Sequence, residues 1–217
     1  MEPDFSRLAN GADFYFVRHG ESEGNRDNII QGHQDAPLSE RGRAQAESVG
    51  KWFAGRSVDS VFASPLQRAF ETASIISRTG ALPAPMADTT IKELDTGIFS
   101  GLSTTVIQER FPEEWVRFQS ESWEGVPEAE SVASLRVRAI EHWNSLIERA
   151  LEGHRTTLSV THGGMVQWLI KVTAGTASWM PLFSASNCGI FHFVVRPIPG
   201  KGISYFREWR LINHTVY

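Results

Sequence analysis

The sequence predicts an α/β protein, three layers in the order α/β/α around a mostly parallel central sheet. Three observations predict it. Short apolar and β-branched runs alternate with amphipathic helical stretches, the connections between them are short and rich in Gly and Pro, and chemistry-bearing residues recur just past the ends of successive strands. In such a sheet ligands bind off the C-terminal strand ends, so those residues should meet on one edge.

Taken in order, residues 13–18 are aromatic and β-branched and stop near Gly20, which reads as a buried strand delivering Arg18 and His19 to its end. A loop follows over 25–37, rich in Asn, Asp, Gly and Gln, and Ser39 then offers a helix N-cap. Ala44, Val49, Trp52 and Phe53 recur at helical spacing, with Gly55 as the stop. Residues 59–63 form a second strand, and Ser64-Pro65 reads as an N-cap with proline at the first helical position, opening a helix over 65–78 that carries Arg68 in its first turn. After a Pro-rich connection at 82–85, Ile91-Lys92-Glu93 reads as a short strand end before a glycine-containing loop at 95–101.

Residues 99–125 show little periodicity but many bulky groups, namely Phe99, Phe111, Trp115, Phe118 and Trp123. We read 99–128 as a small helical and aromatic excursion, its rings expected mainly as core, on a single domain spanning 1–217. Residues 131–151 are the longest helical pattern, with Val132, Leu135, Ala139, Trp143, Leu146, Ile147 and Ala150 on one face. A third strand at 156–160 ends in Thr161-His162-Gly163-Gly164, with an apolar helix over 165–173 beyond it. Residues 187–195 and 203–211 read as two adjacent closing strands joined by a turn at 197–202.

Composition narrows the function classes. Hydrophobic residues at 41% and charged residues at 21% are ordinary globular values. A net charge of -4, from 25 acidic and 21 basic residues in mixed order, offers no basic block for nucleic acid or an anionic membrane. The single cysteine, Cys188, excludes an intrachain disulfide and suits a reducing compartment; residues 1–10 lack signal-peptide character, so a cytoplasmic location is expected. No run reaches the ~18 apolar residues of a membrane helix. His33, His142, His154, His192 and His214 show no ligand pairing, so no metal and no cofactor is expected. Tryptophan content is compatible with a homodimer.

Arg18-His19 at a strand end sets a nucleophilic imidazole beside a guanidinium shaped for two oxygens of a phosphate. A phosphoryl group has three peripheral oxygens, so several donors must surround it while an in-line nucleophile attacks. Arg18, Arg68 and His162 are candidates for that cage, and Gly163 and Asn25 add neutral donors. Glu93 is the candidate acid for the departing oxygen. Ser22 reads as a phosphate-loop residue, and the loop at 31–34, with Gln31 and Gly32, as a substrate-contacting one.

These blocks resemble the histidine phosphatase superfamily, also called phosphoglycerate-mutase-like. The resemblance rests on Arg18-His19-Gly20-Glu21-Ser22 with Asn25, Gly32, Asp35, Pro37-Leu38-Ser39 and Gly42, then Ser64-Pro65-Leu66 with Arg68-Ala69 and Glu71-Thr72-Ala73, Glu93-Leu94-Asp95, and Thr161-His162-Gly163-Gly164, with Asn187 near a late strand. It implies a phosphoglycerate-mutase-like fold and metal-free chemistry on a small phosphorylated metabolite. His19 would be phosphorylated and then hydrolysed, Glu93 would serve as acid and then base, and Arg18, Arg68 and His162 would hold the oxygens. Mutases of the family resemble one another in a Glu-Ser-Leu-Lys-Asp-like run, where this chain has Ala129-Glu130-Ser131-Val132-Ala133-Ser134. A phosphatase is therefore expected ahead of a phosphoglycerate mutase. Two positions depart from the family's habits: Gly24 stands where mutase-like members often carry tryptophan, and Phe99-Ser100-Gly101 replaces an aromatic-acidic-Gly turn.

Two other classes match parts of the sequence. Gly20-Glu21-Ser22-Glu23-Gly24 fits the elbow of a serine α/β-hydrolase, but it follows the first strand and precedes His162-Gly163-Gly164, the reverse of the order that fold requires. A non-catalytic module that only binds phosphorylated ligands would have no need of His19, Glu93 and His162 together.

Overall fold

The computed structural model describes residues 1–178, 183–198 and 205–217. In chain order its elements are β1 (Ala12–Arg18), α1 (Glu23–Arg26), β2 (Ile29–Ile30), α2 (Glu40–Phe53), β3 (Ser60–Ala63), α3 (Gln67–Gly80) and β4 (Pro85–Ala87). There follow β5 (Leu102–Ser103), α4 (Thr104–Arg110), α5 (Pro112–Glu121), α6 (Val132–Leu151), β6 (Thr156–Thr161), α7 (Gly163–Ala174), β7 (Ile190–Pro197) and β8 (Tyr205–His214). The main sheet runs β4-β3-β6-β1-β7-β8. Its first four strands are mutually parallel, and β7 and β8 add an antiparallel edge. β2 and β5 pair in a separate small ladder.

The period of two along β1 divides its side chains between two cores. Phe14 and Phe16 pack with Trp143, Leu146 and Leu169 of α6 and α7, while Tyr15 and Val17 pack with Val49, Phe53 and Ile76 of α2 and α3. Helices thus cover both faces, which is why the parallel strands read as nearly continuous apolar runs. Trp143 centres the first core: its ring lies 5.1 to 5.4 Å from Phe5, Phe14, Phe16 and Phe193, and its Nε1 donates to the Leu169 carbonyl at 2.9 Å. Among the described residues no helix is long and apolar enough to cross a membrane.

Local signals placed several boundaries well. Ser39 and Ser131 cap α2 and α6, their hydroxyls accepting from Gly42 N and Ser134 N at 3.0 and 3.2 Å. Two expectations need correction. α3 begins at Gln67 behind Leu66, which makes no side-chain cap, and Ser64 instead turns its hydroxyl toward His162. The expected strand end at 91–93 is a 3-10 turn, Thr89–Ile91, followed by a loop holding Glu93; the strand is β4, paired with β3. Pro85 starts β4 at the sheet's edge, where a missing N–H breaks no ladder. Most of the turn expected at 197–202, and Ile203, lie outside the described residues.

The segment that follows Phe99 carries α4 and α5 and keeps its own small core. Phe99, Ile107 and Val126 are buried there, with Phe111, Trp115, Phe118 and Trp123 packed around them.

Candidate active site

Register explains why the site forms. β1 sets Arg18 opposite Thr161 of β6, and β6 sets Val160 opposite Ala63 of β3, so the next residues of each strand, His19, His162 and Ser64, emerge side by side. His19 is only 2% exposed, and its Nδ1 donates to the Gly20 carbonyl at 2.7 Å. A carbonyl can only accept, so the proton sits on Nδ1 and Nε2 keeps its lone pair. The His162 ring lies 5.1 Å away, centroid to centroid. Its Nε2 is 2.8 Å from the Ser64 hydroxyl, which also accepts from Leu66 N at 3.3 Å. With the Ser64 proton directed at Nε2, His162 carries its own on Nδ1.

Both arginines are anchored by their outer nitrogens. Arg68, 1% exposed, donates from Nη1 to the Gln34 carbonyl and from Nη2 to the Gly32 carbonyl, each at 2.8 Å, with Asp35 at 4.0 Å. Arg18 donates from Nη1 to the Ala185 carbonyl. Among the described residues, Arg18 Nε, Arg68 Nε and His162 Nδ1 are buried without a hydrogen-bond partner. Each such donor costs about 1–3 kcal/mol, and three beside one nucleophile are the complement an oxyanion supplies. Burial first, then the Arg18 and Arg68 charges, hold His19 well below its ordinary 6.5; burial, then Arg68, does the same to His162. At neutral pH the His19 imidazole is therefore neutral, as a nucleophile must be.

Glu93 reaches the same place from its loop. Its Oε1 accepts from Leu94 N at 3.0 Å and its Oε2 from Gly164 N at 3.4 Å. A Cβ on Gly164 would stand 2.6 Å from Oε1, so glycine is what admits the carboxyl there. Long-range bonds fix the loop: Arg138 Nη1 donates to the Thr90 and Lys92 carbonyls at 2.7 and 3.0 Å while Glu130 holds the same guanidinium at 2.6 Å. Thr161 Oγ1 donates to the Ile91 carbonyl, and His33 Nε2 to that of Glu93, both at 2.7 Å. Sequence reasoning missed Ser64, Arg138, Thr161 and His33 in these roles. No local pattern marks them, because every partner is distant in the chain.

A cavity of about 230 Å³ collects Arg18, His19, Asn25, Gln31, Gly32, Arg68 and Glu93, with Trp123 of the excursion on its wall. Asn25 accepts from Asn187 Nδ2 at 3.1 Å, and Asn187 also donates to the His19 carbonyl at 3.2 Å. Ser22 lies apart from the cavity: fully buried, it caps α1 and bonds Gln31 Oε1 at 3.0 Å. Gly24 allows this arrangement, since a Cβ there would stand 2.6 Å from Gln31 Cδ. Gly163 opens α7 beside Arg18, lining an adjoining cavity and turning the positive helix end toward the site.

A parallel sheet that places a neutral imidazole among orphaned cationic donors belongs with the enzymes that handle oxyanions. Residues 14–198 match the profile of the histidine phosphatase superfamily (branch 1), and the chain belongs to that superfamily. A 2,3-bisphosphoglycerate-dependent phosphoglycerate mutase of Bartonella bacilliformis is 33% identical over 167 residues, covering 75% of this chain and 81% of its own. Phosphoserine phosphatase 1 of Hydrogenobacter thermophilus is 34% identical over 143 residues, 60% of this chain and 66% of that one. In fold, the chain is similar to a mycobacterial glucosyl-3-phosphoglycerate phosphatase solved with VO3, at a TM-score of 0.80 and 22% identity, covering 94% of this chain and 100% of that one.

Proposed function

We propose that this chain is a phosphomonoesterase, one domain with the 99–128 segment as its wall, that hydrolyses a small phosphorylated metabolite through a phosphohistidine on His19. The observation that carries the reading is the set of three buried donors without partners, Arg18 Nε, Arg68 Nε and His162 Nδ1, around an imidazole whose Nε2 bears the lone pair. His19 Nε2 attacks phosphorus in line while those donors take the three peripheral oxygens, and Gly163 N–H adds the helix end. Glu93 gives a proton to the departing oxygen. Water then attacks the phosphohistidine as the Glu93 carboxylate removes its proton, releasing phosphate and restoring the acid.

Release to water is favoured over return to a sugar acid by the stretch 129–134. Where mutases carry a Lys-Asp pair this chain has Ala133-Ser134, and just before them Glu130 is occupied with Arg138 and Ser131 caps α6. The donors are guanidinium, imidazole and backbone N–H, chemistry that meets phosphate oxygens without a bridging cation. A screen of phosphorylated metabolites with a chelator present tests the reading. Phosphate release insensitive to the chelator is expected. Isomerisation without release, tight binding without turnover, or activity lost to the chelator would each contradict it.

A further inference from the structure

The phosphoryl cavity continues into a second one of about 320 Å³ that runs along α7 and shares Arg18, Glu93, Leu94, Trp123 and Gly164 with it. The Glu93 carboxyl stands where the two cavities meet. One stripe of α7 forms its side: Gly164, Gln167, Trp168 and Lys171 follow the i, i+3, i+4, i+7 spacing of a single helix face. Gln167 is held there by donating from Nε2 to the Phe183 carbonyl.

Lys171 is the unusual member. The residue is 1% exposed, yet among the described residues no carboxylate lies within ion-pair reach of it. Its Nζ sits 4.7 Å from the centroid of the Trp168 ring, three residues earlier, so the side chain leans back toward the N-terminus of α7, where the phosphoryl site is. Burial alone pushes its pKa down, with no neighbouring charge contributing. A buried ammonium without a counter-ion is costly to keep unless something anionic comes to it. The helical rise sets the Lys171 Cα about 10 Å along the axis from Gly164, and the backward lean shortens that span to the length of a small organic chain.

We propose that this second cavity is the leaving-group subsite and that Lys171 selects phosphomonoesters whose leaving group carries a second anionic group, a carboxylate or another phosphate, a few bonds from the ester oxygen. Trp123 and Trp168 bound the intervening chain, and Lys171 meets its far end. The assignment rests on the phosphatase reading above.

The test uses the intact chain and ω-carboxyalkyl phosphates with a graded number of methylenes, each paired with its neutral carboxamide, together with the matching alkanediol bisphosphates. The charged member of a pair should show the higher kcat/KM by about ten- to a hundredfold at one preferred length, the range expected of a charge-assisted contact. The ratio should fall to about one in Lys171→Met and persist in Lys171→Arg. Because each ratio is taken within one protein sample, partial misfolding of a variant cancels from it. Preference for the carboxylate alone, or the bisphosphate alone, identifies which anion the subsite takes. Carboxylate, carboxamide and bisphosphate turned over alike, or a preference that survives Lys171→Met, would overturn the assignment while leaving the phosphatase reading intact. No hydrolysis of any ester would overturn both.

Discussion

The cage and the wall of this site are built differently. The cage, His19, Arg18, Arg68 and His162, hangs from strand ends and the first turn of α3, anchored through one or two nitrogens of each side chain on backbone carbonyls or Ser64. The wall comes from Trp123 of an excursion with its own core of three buried residues, and from one stripe of α7. β1, β3 and β6 are each held by ladders on both sides, whereas a small satellite cluster can be exchanged without disturbing them. On the proposed phosphatase reading, chemistry and selectivity are thereby separated. Cage variants should change every ester alike, and wall variants should change them unequally.

Glu93 stands at the seam and should give the largest leaving-group effect. Glu93→Gln should lower kcat/KM, which reports transfer to His19, by about 10²–10⁴-fold for esters of alkyl alcohols, the usual worth of a general acid, while kcat/KM for nitrophenyl phosphate, whose leaving group needs no proton, falls far less. Equal losses would remove Glu93 from the acid's role. Next comes the cage. Ser64→Ala deprives His162 Nε2 of its 2.8 Å partner, so the Nδ1–H tautomer is no longer enforced; kcat/KM should fall by roughly 10–100-fold, uniformly across a panel of esters. A drop confined to some esters would place Ser64 with the wall. Trp123→Ala should shift the ratio between aryl and alkyl esters by up to about tenfold, with the pH profile unchanged. A uniform loss would erase the distinction.

The smallest effect concerns stability. His19 and His162 have folded-state pKa values held well below 6.5, so below that pH the unfolded chain binds protons that the folded chain refuses. Stability is then full above pH 6.5 and falls as pH drops, by about 1.4 kcal/mol per unit for each group. Denaturant midpoints measured from pH 7 to 5 should show this slope, and it should shrink in His162→Gln. A flat profile would mean that the imidazoles are not held neutral.

Much of the fold was legible because its signals are local. Short aromatic and β-branched runs located β1, β3 and β6, and serine caps located α2 and α6. His19, Arg68, Glu93 and His162 could be nominated because each follows or lies near such a landmark. What could not be read depends on contacts across the chain. Ser64 looks like a helix cap until β3 and β6 are placed side by side. Glu93 looks like a strand residue until Arg138, 45 positions later, is seen to gather the carbonyls around it. Ser22 looks like a phosphate ligand until its hydroxyl is found capping α1 inside the loop. Lys171 sits in an apolar helix pattern, and only the cavity beside it gives its charge a purpose.

The central claim is the covalent one, and it can be measured directly. Mixing the protein with a turned-over phosphorylated substrate, quenching within a single turnover and mapping acid-labile, alkali-stable phosphate should locate the group on His19. The signal should vanish in His19→Ala and accumulate in Glu93→Gln when the leaving group is good, because the water that clears the phosphohistidine has lost its base. Phosphate released at full rate by His19→Ala, or trapped on any other side chain, would contradict the account.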